Sequence, residues 1–291
     1  MRTLTIKSTT MKIILLIATT IVISSVYGYL PDEDYGEEFL ALSKTLHKKC
    51  VAIMGVTLAE IDSLKNGIFD ATEQMKRYVL CLWLVSEEMN TDLTMNHKLL
   101  TKYMPKKVKN GVKIYERCNK EARESSEAEP YEIIFDMMKC YYNADPELSK
   151  MKLTLLIAII GISSAYGYLA DEDYGAEFLA LAKLTHKKCV PITGVTQELI
   201  DAMKNGNFPD NEILKRYTLC LWLVAEAMTT DFNINTKMVE KSMPKKIVNG
   251  KELLQSCGKQ AQKSGLTSPH ETVYEVMKCF YKADPEHFIM F

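Results

Sequence analysis

Hydrophobic and polar residues alternate with a helical period through most of the chain. Phe39, Leu42, Leu46 and Cys50 recur at steps of three and four, the apolar stripe of one helix. Thr57-Leu-Ala-Glu60 has the form of a capping box opening a short second helix, and Lys65-Asn66-Gly67 reads as its stop. From about Glu73 to Met89 the run YVLCLWLV is apolar almost all round, which predicts a third helix at the centre of the domain. Pro105 ends a short fourth helix and Asn110-Gly111 marks a turn. A fifth helix covers about Val112 to Glu124. Pro130 opens a sixth, Tyr131 to Tyr142, which stops near Pro146. No stretch keeps a period of two for long enough to predict a strand. The pattern is all-α, about six helices in roughly 120 residues.

The same pattern then repeats. YLPDEDYGEEFLAL from Tyr29 becomes YLADEDYGAEFLAL from Tyr168, and KRYVLCLWLV from Lys76 becomes KRYTLCLWLV from Lys215. Cys50, Cys81, Cys118 and Cys140 correspond to Cys189, Cys220, Cys257 and Cys279, each pair 139 residues apart. A fixed internal offset means two tandem copies of one domain. Each copy is preceded by a segment built like a secretory leader. In residues 1–28 a basic start (Arg2, Lys7, Lys12) leads into an apolar run, with Val26 and Gly28 before the expected cut at Tyr29. Residues 149–167 repeat the design, with Ala165 and Gly167 before Tyr168. Their apolar core is short for a membrane span. The expected organisation is therefore a signal peptide at 1–28, a first domain at 29–148, an internal signal-like segment at 149–167 and a second domain at 168–291. Two joined precursors would give this arrangement.

Composition narrows the chemistry. A formal net charge of -1 gives no basic field for nucleic acid. An even count of 8 cysteines fits pairing in an oxidising, extracellular compartment. Four cysteines per copy allow three pairings, and the sequence pattern does not choose between them. No G-x-S-x-G, H-E-x-x-H or Gly-rich phosphate loop is present, so no catalytic set and no cofactor are expected. None of the five histidines has a second ligand at metal-site spacing, so no metal is expected either. His47 and His186 are expected on the solvent side of the first helix.

The leader, the length of one copy, the six helices and the K-x-Y-x-x-C run before an apolar stretch resemble the insect odorant-binding proteins of the PBP/GOBP type. That family usually has six cysteines. Two of those positions hold Arg77 and Tyr131 in the first copy, and Arg216 and His270 in the second, a pattern similar to the four-cysteine Minus-C subgroup. The resemblance implies bridges Cys50–Cys81, Cys118–Cys140, Cys189–Cys220 and Cys257–Cys279, and hence two disulfide-stapled six-helix domains. It also implies that the missing bridge would have joined the third and sixth helices. In its place Glu73–Arg77 and Glu212–Arg216 ion pairs are expected at four-residue spacing. Arg77 is placed to stack on Tyr131. Arg216 would face His270, where it would disfavour protonation.

By the same resemblance the chain is a secreted, extracellular carrier of a small hydrophobic molecule, with a chemosensory receptor as a further partner and no stable membrane insertion. The expected cavity wall in the first copy is Met54, Leu80, Leu84, Met104, Tyr115, Phe135 and Met138. In the second it is Thr193, Leu219, Leu223, Met243, Leu254, Tyr274 and Met277. Trp83 and Trp222 read as core packing, and the apolar tail His287 to Phe291 as a lid or a frayed end. Two alternatives remain at this point: the same module carrying lipids or hormones outside olfaction, and a secreted helical module that binds proteins and has no cavity.

Overall fold

The computed structural model describes residues 36–105, 108, 110–124, 128–144, 176–244, 247, 249–285 and 287–288. The leader-like segments at 1–28 and 149–167 lie outside the described residues. The first copy forms α1 (Glu37–Met54), α2 (Leu58–Lys65), α3 (Glu73–Val85), α4 (His97–Tyr103), α5 (Gly111–Glu124) and α6 (Pro130–Ala144). The second repeats them as α7 (Ala176–Thr193), α8 (Gln197–Lys204), α9 (Glu212–Val224), α10 (Thr236–Ser242), α11 (Gly250–Lys263) and α12 (Pro269–Ala283). Among the described residues there is no strand, only one isolated bridge per copy, Met89–Met95 and Met228–Ile234.

Local chemistry sets the helix ends. Gly55 closes α1 in the left-handed conformation (φ 69°), donating its N–H to the Val51 carbonyl at 2.7 Å. Thr57 and Glu60 form both halves of a capping box on α2. The second copy has Leu199 where Glu60 stands, and Thr196 makes no side-chain cap. The central helix is shorter than expected and ends with its apolar run. It stops at Val85 and not Met89, because Glu87 takes φ 61°, and Glu226 does the same at 57° in the second copy.

From Tyr78 to Val85 every residue of α3 is buried, which puts this helix at the middle of its domain. Cys50–Cys81 ties α1 to α3 and Cys118–Cys140 ties α5 to α6. Cys189–Cys220 and Cys257–Cys279 do the same for α7 with α9 and α11 with α12.

The two copies pack on each other through a reciprocal interface. Arg77 on α3 donates to the Pro191 carbonyl at the end of α7 (2.7 Å), and Arg216 on α9 donates to the Ile53 carbonyl at the end of α1 (2.8 Å). Lys188 pairs with Glu87 at 2.8 Å, and its counterpart Lys49 pairs with Glu226 at 3.6 Å. Both lysines are buried. Burial draws the Lys49 pKa down, and Glu226 opposes that shift. The two lysine pairs are equivalent, and each arginine reaches the last turn of the other copy's first helix one residue out of register, so the surface is close to self-complementary and two-fold, with Lys48–Asp231 as a further pair across it. Glycine makes room for it. A Cβ at Gly55 would lie 2.8 Å from Arg216 Nη1, and one at Gly194 2.9 Å from Arg77 Nη2. The carbonyls that receive the arginines belong to helix C-termini, where positive charge is favoured.

Replacing both Arg77 and Arg216 by alanine is expected to separate the copies while leaving each helical. Small-angle scattering should show a larger radius of gyration, and unfolding should cost about 1–3 kcal/mol less per lost charged hydrogen bond. An unchanged scattering profile would mean that the arginines do not hold the interface.

Candidate functional site

An apolar cavity of about 50 Å³ lies between the helices of the second copy. Phe178 from α7, Trp222 from α9 and Ala227 after α9 form one side. Val239, Ser242 and Met243 at α10, Leu254 on α11, and Met277 and Phe280 on α12 complete the wall. Its volume suits only one or two waters or a small apolar fragment. A larger guest would have to spread the helices. The Cys257–Cys279 bridge holds α11 to α12 beside it, whereas no bridge joins α9 to α12.

The cavity gathers Met243, Leu254 and Met277 from the residues expected at the wall. Thr193, Leu219, Leu223 and Tyr274 are buried but do not line it. The Tyr274 hydroxyl instead donates to the Pro209 carbonyl at 2.6 Å. Trp222, expected as plain core, is part of the wall. So are Phe178, Ala227, Val239, Ser242 and Phe280, which sequence reasoning missed. Phe178 and Phe280 lie on the apolar stripes of their helices, a signal that pointed inward without saying to what.

In the first copy the equivalent positions carry bulkier rings. Tyr115 and Tyr141 replace Leu254 and Phe280, and their rings stack with centroids 3.4 Å apart. Trp83 meets the Tyr115 ring at 5.2 Å, edge to face. Met104 and Met138 occupy the positions of Met243 and Met277. Met54, Leu80, Leu84 and Phe135 are buried core residues, Phe135 packing on Phe69 at 5.7 Å. Glu88 stands where the second copy has Ala227, and it is fully buried. Neither of its carboxyl oxygens, nor Trp83 Nε1, has a hydrogen-bond partner among the described residues. Burial pushes the Glu88 pKa up to about 8. Ser86 beside it offsets part of this, but donates its hydroxyl to the Trp83 carbonyl.

The places of the missing cysteines form a second focus. Arg77 bonds Glu73 at 2.7 Å and lies 4.2 Å from the Tyr131 ring centre. Arg216 bonds Glu212 at 2.6 Å, and Glu212 also reaches His270 Nε2 at 3.2 Å. Burial, followed by the Arg216 charge, holds the His270 pKa below its usual range, while Glu212 and Glu271 oppose this and Lys215 adds to it. The expectation of solvent-facing His47 and His186 is overturned. Each is half-buried, with Nδ1 2.8 and 2.7 Å from the hydroxyls of Tyr78 and Tyr217. Phe288 packs on Phe208, Phe280 and Tyr281, centroids 5.9, 6.1 and 5.0 Å away, while residues 289–291 lie outside the described residues. Cys118, Glu121 and Cys140 cluster like metal ligands, but two of the three atoms are tied in a disulfide. No helix among the described residues is long and apolar enough to cross a membrane.

Among the described residues twelve helices in two equivalent sets, each stapled by two bridges around a central apolar helix, define a tandem all-α domain pair. The PBP/GOBP family profile matches residues 32–144 and again residues 171–283, and the chain belongs to that family, with two copies of its domain. Its members are generally carriers of odorants and pheromones. The "B1 protein" of Tenebrio molitor is 25% identical over 138 residues, which is 47% of this chain and 96% of that protein. One copy here thus spans nearly the whole of that relative. No solved structure matches.

A histidine whose folded pKa is lowered is protonated more readily in the unfolded chain. Its contribution to stability is complete above the ordinary histidine pKa and is lost as pH falls through it. His47 and His186 are lowered by burial in both copies, so their effects match. His270 has no counterpart in the first copy. The second copy is therefore expected to lose more stability between pH 7 and pH 5, and His270→Tyr to reduce that loss. Thermal unfolding followed through Trp83 in a Trp222→Phe chain, and through Trp222 in a Trp83→Phe chain, reads each copy separately. Equal shifts in the two would refute the assignment.

Proposed function

We propose that this chain is a secreted carrier of small hydrophobic ligands, without a catalytic step. The observation that carries this reading is the apolar cavity bounded by Trp222, Leu254, Met277 and Phe280, in a domain of a carrier family. Burial of a ligand's apolar surface there would supply about 25 cal/mol per Å². Four cysteines per copy, with Arg77, Tyr131, Arg216 and His270 at the other two family positions, support placement in the four-cysteine subgroup. Without a bridge between α9 and α12, the second cavity is free to widen by a shift of α12. The Phe288 ring on Phe280 supports a role for the tail in that motion. The two leader-like segments support secretion, and an organisation of two precursor units joined head to tail with boundaries at 28, 148 and 167.

Displacement of N-phenyl-1-naphthylamine by small volatiles tests the carrier reading in the full chain. Saturable displacement is expected. Leu254→Tyr, which installs the residue of the first copy, is expected to weaken dye binding at the second site by at least about ten-fold, as overfilling a packed wall excludes the guest. Dye uptake that neither saturates nor responds to Leu254→Tyr would favour a protein-binding module without a ligand cavity.

A further inference from the structure

Position 88 separates the copies chemically. The second copy builds the same turn with Ala227, so the fold does not need a carboxyl there. Glu88 is nevertheless retained at 0% exposure with both oxygens unpartnered. A buried polar group without a partner costs stability, and its survival in a native structure calls for a reason. Trp83 supplies the complementary half, a buried indole N–H that also has no acceptor. Ala227 and Trp222 border one small cavity, so Glu88 and Trp83 are rooted at positions that face the same space. Two neighbouring positions are more polar than in the second copy as well: Tyr115 and Tyr141 stand for Leu254 and Phe280.

We propose that the first copy's inter-helix site takes a small amphiphile whose hydroxyl head group is held between Glu88 and Trp83 Nε1, with its alkyl tail among the apolar side chains. A hydroxyl has one proton to give and two lone pairs. It donates to a Glu88 oxygen and accepts the Trp83 N–H, satisfying two of the three polar atoms that are otherwise unmet. An ether offers no proton. A protonated amine brings a full charge into the site, and its desolvation works against entry. The guest enters by parting the Tyr115–Tyr141 stack, which fills the place of the second copy's cavity. Because Tyr115 touches the Trp83 ring, the event reports on Trp83 emission. This inference rests on the carrier reading above and adds the ligand class of one of the two sites.

The chain has only two tryptophans, one in each copy, so the full chain can be read one site at a time. In the Trp222→Phe chain, 1-octanol is expected to change Trp83 emission saturably and to bind about five- to ten-fold tighter than methyl octyl ether, the discrimination of one neutral hydrogen bond. Octylamine is expected to bind more weakly than octanol. Glu88→Ala is expected to bring octanol and the ether within about two-fold of each other, while Glu88→Gln, which still hydrogen-bonds, keeps most of the preference. Because Glu88→Ala removes an unpaired buried group, its melting temperature should hold or rise. Equal binding of octanol and ether, an unchanged ratio in Glu88→Ala, or tighter binding of octylamine would each overturn the proposal. The Trp83→Phe chain reports the second site. Ligand response there with none in the first copy overturns this inference alone, and no response in either copy overturns the carrier reading with it.

Discussion

The bridge from the first helix to the central helix, Cys50–Cys81 in one copy and Cys189–Cys220 in the other, is the constraint on which the rest hangs. From Tyr78 to Val85 α3 has no solvent face, and such a segment is stable only when surrounded. The bridge fixes its first neighbour covalently and, like disulfides generally, restricts the unfolded chain by about 2–4 kcal/mol. The second bridge then ties α5 to α6 as a separate unit. Between these two clamped pairs nothing covalent intervenes, and there the second copy keeps its cavity.

Arg77 and Arg216 each serve more than one contact at once. Arg77 lies over the Tyr131 ring and so joins α3 to α6. The same side chain extends outward to a carbonyl of the other copy. One residue therefore reads both the inside of its own domain and the end of a neighbouring helix. Alanine could do neither, and lysine lacks the flat fork that serves a carboxylate, a ring and a carbonyl together.

Most of the fold was legible in the chain. The helical stripe at Phe39, Leu42, Leu46 and Cys50, the capping box at Thr57 and the two prolines that bound α4 and α6 are local signals, and the helices follow them. The end of α3 was not: the helical reading carries on through Ser86-Glu87-Glu88 to Met89, while the backbone turns at Glu87, a residue type that gives no warning of a left-handed conformation. The site was legible only in part. Periodicity says which face of a helix points inward, but not whether the inside is filled or hollow. Leu254 and Leu219 look alike as inward-facing leucines, and only the packing of α10 against α11 puts one at a cavity and the other in the core. Glu88 was missed because it follows the exposed-looking Glu87 at the end of a helix, where acidic residues are ordinary. The interface between copies was hidden for a different reason: Arg77 and Lys49 are surface-type residues, and no pattern within one copy shows that the other will cover them.

The self-complementary face has one more consequence. Since the lysine pairs are matched with the roles of the copies exchanged, and the arginine contacts nearly so, the pairing carries little record of which copy is translated first. A chain with the two domains in the opposite order would rebuild the same arginine and lysine contacts. Selection is then free to let the interiors drift apart, one toward a hollow apolar wall and the other toward tyrosines around a carboxyl, while the shared surface keeps both in one particle.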